Sequence, residues 1–204
     1  MPKSPTAPIR AFSARTVAEI GLMLALFAVL DYLAVRLPIN VAGGSISFAM
    51  VPIILYAVVR GPALGTLTGA LAGGLDMLVQ PYFVHPVQVA LDYPVAYAVV
   101  GLGAGLLAAS VDHSFANGKS GVGAALTVAA GVLAGALRLA AHFTSGLAFF
   151  ASSAPEGQAV WVYSLVYNLT YVAPSVLIST LVVLAAVRPV LRAVSAQASA
   201  QRAD

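Results

Sequence analysis

The sequence contains no cysteine, so no disulfide, thiolate-bound metal or cysteine nucleophile is open to it. Charge is almost as scarce. Asp, Glu, Lys and Arg make up 8% of the 204 residues, where a soluble domain carries roughly a quarter. That excludes a core surrounded by water on all sides. No nucleotide-binding loop is present: the run GLGAG at 101–105 has no preceding strand, lacks the full glycine spacing and lies inside an apolar stretch, so its glycines serve helix packing. No metal-ligand cluster and no cofactor motif is found either. The lack of an internal repeat argues against an inverted-repeat secondary transporter. The formal net charge of +3 does not signal nucleic acid, because the basic residues fall mostly in loops and tails, where they orient a membrane protein.

What is abundant is apolar surface, with 60% hydrophobic residues and a mean hydropathy of +0.94. The expected fold is an all-α integral membrane protein with six transmembrane helices, since spans of about 20 residues consume nearly the whole chain. The spans are expected at 16–36, 48–59, 62–79, 87–109, 122–150 and 160–187. The second is short and needs help from the preceding loop, 38–47, read as re-entrant because it holds a proline and paired glycines. The segment 111–121 reads as a polar inner loop. One membrane domain (16–187) is thus flanked by an N-terminal tail (1–15), read as retained, and a basic C-terminal tail (188–204) that is frayed or interfacial. Lys3, Arg10, Arg15, Arg60, Lys119, Arg188, Arg192 and Arg202 all fall on one side of this arrangement. Both termini are therefore expected in the cytoplasm, with the loops around 38–47, 80–86 and 151–159 outside.

Within this apolar background the stretch from Arg138 to Tyr171 gathers Arg138, His142, Phe150, Glu156, Trp161, Tyr163 and Asn168. A charge at the centre of a membrane helix costs about 2.5–3.5 kcal/mol on insertion scales, so such groups face a cavity or each other. Asp92 on span four, His142 on span five, and Tyr163 and Asn168 on span six all fall within about 12 Å of the outer surface at 1.5 Å per residue. Polar groups converging at one depth, walled by aromatics, describe a ligand site open from outside. A buried Asp92 needs a cation, either Arg138 or a bound one. Phe150 offers a ring face worth about 0.5–2 kcal/mol to a cationic heterocycle, and Asn168 and Tyr163 supply hydrogen bonds to ring nitrogens and an amino group.

Plainer roles compete. Tyr82, Trp161 and Tyr163 could be interfacial anchors, Phe150 core or lipid-facing, and His142 a partner for a neighbouring helix. Asp76 could lie among headgroups or pair with Arg138, and Asp31 lies deep enough to need a partner. Tyr163 and Asn168 are five residues apart, about 140° around a helix axis, so span six either starts irregularly or turns one of them away. Gly65, Gly69, Gly73 and Gly74 on span three mark close helix contact, and Gly21, Ala25 and Ala28 on span one mark either packing within the chain or a docking face.

Several linked segments, GGSISFAMVPI at 43–53, HPVQVALDYPVAY at 85–97, and RLAAHFTSGLAFFASSAPEG with VWVYSLVYNLTYVAP between 138 and 174, resemble the ThiT family. These are thiamine-binding substrate subunits (S components) of energy-coupling-factor (ECF) transporters. The resemblance covers about residues 16–187. It implies a six-helix protein that captures thiamine from outside with high affinity and passes it inward with a transmembrane coupling subunit and two ATPase subunits. It also implies that Asp92 and Tyr93 contact the aminopyrimidine, that His142 and Phe150 flank the thiazolium, and that Tyr163, Asn168, Tyr82 and Gly146 complete the wall. Gly21 and Ala25, with Ala28 beside them, match the stripe that docks on the coupling subunit. Some members carry a tryptophan in the first outer loop, where residues 38–45 include no aromatic, and some carry tryptophan where Phe150 stands.

The alternatives are an S component or solo transporter for another pyrimidine or cationic vitamin precursor and, more remotely, an intramembrane serine hydrolase using Ser145 and His142. Those two share one helix, unlike the separate-helix arrangement of intramembrane serine proteases, and Phe143 stands where such enzymes have a glycine. The reading is therefore of a non-enzyme in the lipid bilayer of the cell membrane, without nucleic-acid partners.

Overall fold

A chain this apolar must satisfy its backbone groups internally, and among the described residues it does so with helices. The computed structural model describes residues 13–34, 44–79 and 81–200. The elements are α1 (Ala14–Tyr32), α2 (Met50–Arg60), α3 (Pro62–Val79), α4 (Pro86–Ala90), a π-helical turn (Leu91–Val95), α5 (Ala96–Gly105), α6 (Ala108–Ala116), α7 (Ser120–Phe149), a 3-10 turn (Ala151–Ser153) and α8 (Val160–Ala200). Among the described residues, four stretches are long and apolar enough to cross a membrane: α3, the run Pro86–Ala116, α7 and α8.

Local signals set several boundaries. Ser13 caps α1 by accepting from the Thr16 amide at 3.1 Å. His85 caps α4 through Nδ1, with Pro86 in the first turn where its missing N–H costs nothing. Gly61, at φ 89°, separates α2 from α3 in a conformation that side chains disfavour.

The expected spans 48–59, 62–79 and 122–150 fall close to α2, α3 and α7. Most of the expected re-entrant loop, positions 38–43, and Arg36 at the end of the expected first span lie outside the described residues, as do positions 1–12 and 201–204 of the tails. Two readings need correction. The segment expected as an inner loop begins as helix, since α6 runs to Ala116 and stops only where the Asn117 side chain bonds the His113 carbonyl at 2.7 Å and Gly118 turns to φ 73°. The C-terminal segment beyond 187 continues α8 through Pro189, because Val183, Val187 and Leu191, four residues apart, are all buried in the core.

The expected close approach of span three is a backbone contact. A Cβ on Gly69 would stand 2.0 Å from the Tyr97 carbonyl oxygen, and one on Gly73 2.2 Å from that of Tyr93. Only hydrogen fits there, so α3 lies directly on the π turn and α5. Gly74 faces open space. Around this contact Phe27, Ile53, Ile54, Tyr97, Val100 and Val183 form the dry core. The other end of the bundle, where α3 and α7 stop and α4 and α8 start, is hollow.

Candidate functional site

The hollow is a cavity of about 560 Å³, within the range of small-molecule sites. Its walls come from α3, the segment between α3 and α4, α4, the π turn, α5, α7 and α8, with Asp31 of α1 and Gly44 and Ser45 closing one side. The π turn contains Pro94, which has no N–H to give to the preceding turn; widening the helix there accommodates the gap. Asp92 and Tyr93 reach the cavity from this turn, flanked by Gln88 of α4 and Tyr97 of α5.

Asp92 is the hub. Its Oδ1 accepts from His142 Nδ1 at 3.1 Å, and its Oδ2 accepts from Gln88 Nε2 at 2.7 Å and Ser145 Oγ at 3.0 Å. Behind it, Arg138 donates Nε–H to His142 Nε2 at 3.2 Å and Nη2–H to the Tyr97 hydroxyl at 3.1 Å, with its guanidinium 4.3 Å from the Tyr97 ring centroid. Arg138 thus reaches Asp92 through the imidazole and not by direct contact. Asp31 and Asp76 also line the cavity and lie near enough to interact electrostatically with Arg138. Among the described residues, Asp31, Asp76, Asp92 and Arg138 are the Asp, Glu, Lys and Arg side chains that line the cavity.

Aromatic rings form the rest of the wall. Tyr82 stacks on Phe150, with centroids 6.1 Å apart and planes at 24°. Tyr163 and Tyr167 lie tilted at 5.8 Å, and His142 meets the edge of Tyr171 at 5.7 Å.

All the residues read from sequence as a binding set, Tyr82, Asp92, Tyr93, His142, Gly146, Phe150, Tyr163 and Asn168, line this cavity. Their local roles differ from expectation in three respects. The start of α8 is regular, and Tyr163 and Asn168 both reach the cavity because Ser164, Tyr167 and Tyr171 fill the arc between them. Asn168 is held by its own protein: Nδ2 donates to the Ser164 carbonyl at 2.8 Å and Oδ1 accepts from the Tyr171 hydroxyl. Gly146 is a contact point, where a Cβ would stand 2.1 Å from Ser164 Oγ. Trp161, by contrast, is exposed and does not line the cavity.

The residues missed were Gln88, Tyr97, Ser164, Tyr167 and Tyr171. The four-residue spacing of Tyr163, Tyr167 and Tyr171 was a readable stripe. Gln88, one turn before Asp92, is the kind of polar residue that only a fold can place. Ser145 and His142 both point at Asp92 rather than at each other, so no serine–imidazole dyad forms. Among the described residues no group of three His, Asp or Glu side chains is placed to hold a metal.

A family model described as "Thiamine transporter protein (Thia_YuaJ)" matches residues 17–194. The thiamine transporter ThiT of Bacillus subtilis (strain 168) is 39% identical over 148 residues, covering 72% of this chain and 77% of the relative. ThiT of Lacticaseibacillus paracasei is 32% identical over 132 residues, covering 62% of this chain and 65% of that protein. The solved structure of ThiT from Listeria monocytogenes shares the fold, with a TM-score of 0.78 over 87% of this chain and 96% of that one at 22% identity.

Proposed function

The chain belongs to the Thia_YuaJ thiamine transporter family, and on that premise we propose that this multi-pass membrane protein captures thiamine from outside in its cavity. The observation that carries the reading is the convergence on Asp92, which unites a carboxylate from the π turn with His142 and Ser145 of α7 beside the stacked Tyr82 and Phe150. The carboxylate attracts a cation and leaves Oδ1 able to accept a further donor. The rings at the mouth give the cation a π face. His142 takes part as a neutral ring: its Nε2 accepts from Arg138, so its proton sits on Nδ1 and it adds no positive charge beside the guest.

Binding alone does not move a solute, and the sequence holds no ATP-binding motif, so the energy comes from partners. The partners proposed are an ECF coupling subunit and two ATPases. The support is α1, where Gly21, Ala25 and Ala28 are all exposed and a Cβ on Gly21 would meet nothing within 4 Å. In this reading residues 16–187 form one domain of six crossings. Arg15, Glu19 and Arg60 form an ion-pair cluster between α1 and α2 at the cytoplasmic end, and both termini are cytoplasmic. The protein is a carrier and performs no chemistry.

Calorimetric titration of the purified protein with thiamine, its isolated pyrimidine and riboflavin tests the assignment. Thiamine is expected to bind most tightly. Preference for either of the other two would transfer the cavity to a different vitamin or precursor.

A further inference from the structure

Gln88 takes no part in any role assigned above, yet it is 1% exposed and its carboxamide makes three bonds. Oε1 accepts from the Val84 amide at 3.0 Å, and Nε2 donates both to the Tyr82 carbonyl at 3.2 Å and to Asp92 Oδ2 at 2.7 Å. The first two bonds hold the segment 81–85, which carries Tyr82 over Phe150 at the cavity mouth. The third reaches the hub. Oδ2 already takes two donors, Gln88 and Ser145, and a carboxylate oxygen has about two acceptor positions. A ligand donor at Oδ1 leaves both bonds in place, whereas one arriving at Oδ2 competes with Gln88 or Ser145, and of the two only Gln88 also holds the mouth.

We propose that Gln88 is a positioning residue that couples Asp92 to the cavity mouth, so that a ligand donor taken up at Asp92 Oδ2 changes how firmly Tyr82 is held over Phe150. The proposal rests on the thiamine reading for its probe but not for its geometry. Gln88 bonds the residues that face the ligand, and its role is to transmit occupancy.

The absence of cysteine makes a single-site probe straightforward. Phe83 is 69% exposed and does not line the cavity, so Phe83→Cys carries a nitroxide beside Tyr82. The label is compared in otherwise wild-type protein and together with Gln88→Met or Gln88→Glu, with and without saturating thiamine, alongside the thiamine release rate. Gln88→Glu keeps the side chain's size and its acceptor for Val84, which guards against loss of folding in the methionine variant. Gln88 intact is expected to give an immobilised label that responds to thiamine. Both Gln88 variants are expected to give a mobile, unresponsive label and at least tenfold faster release. An immobilised, thiamine-responsive label in either folded Gln88 variant overturns the coupling. Failure of the wild type to bind thiamine rejects the substrate and not the coupling, because the ligand-free spectra must still separate the Gln88 variants from the rest; identical ligand-free spectra overturn it.

Discussion

Arg138 donates its Nε–H to Nε2 of His142, one turn away on α7, across 3.2 Å. The bond turns the imidazole into a relay, because a nitrogen that accepts cannot also carry a proton, and the ring is left to donate from Nδ1 to Asp92. The guanidinium is itself fixed by the Tyr97 hydroxyl and ring. One cation thereby supports one carboxylate without occupying it.

Arg138→Lys follows from that geometry. An ammonium cannot bond His142, bond Tyr97 and stack on the Tyr97 ring at once, so thiamine affinity is expected to fall by about 1–3 kcal/mol. Calorimetry returning the wild-type affinity would show that the relay is dispensable.

Asp92 is expected to separate charge from scaffolding. Asp92→Asn keeps much of the shape and lowers affinity for a cationic ligand. Asp92→Ala also leaves His142, Gln88 and Ser145 without their acceptor, and each orphaned donor costs about 1–3 kcal/mol. Thermal unfolding in detergent should therefore place the alanine variant below the asparagine one. Equal melting temperatures would mean that the three donors find other partners.

Gly73→Ala and Gly74→Ala form a matched pair. The first drives a methyl to within 2.2 Å of the Tyr93 carbonyl oxygen, while the second meets nothing within 4 Å. Overpacking of this kind costs about 1–3 kcal/mol, so Gly73→Ala is expected to lower the melting temperature and Gly74→Ala to leave it nearly unchanged. Identical melting curves would contradict the backbone contact.

Gly21→Leu tests the partner reading separately from binding. The position is exposed on α1 and distant in sequence from the hub, so thiamine affinity should match wild type. Uptake into cells or vesicles containing the coupling subunit and ATPases should drop sharply. Unimpaired uptake would remove the α1 stripe from the docking surface.

The composition with its pattern determined that this chain lives in a membrane as helices, since with 8% charge the apolar residues run continuously, where the strands of a closed barrel alternate them with polar ones. It also exposed Asp92, His142 and Asn168, because polar groups in such runs are costly enough to be noticed. What the tertiary structure alone decided was how those groups are used. Pro94 opens a π turn, and hydrogen-sized gaps at Gly69 and Gly73 let α3 press against it. His142 stands between Arg138 and Asp92, and Gln88 faces both the hub and the mouth. Such pairings depend on the rotation and approach of separate helices. Helical periodicity gives the face a residue occupies on its own helix, but says nothing of which face of another helix comes to meet it.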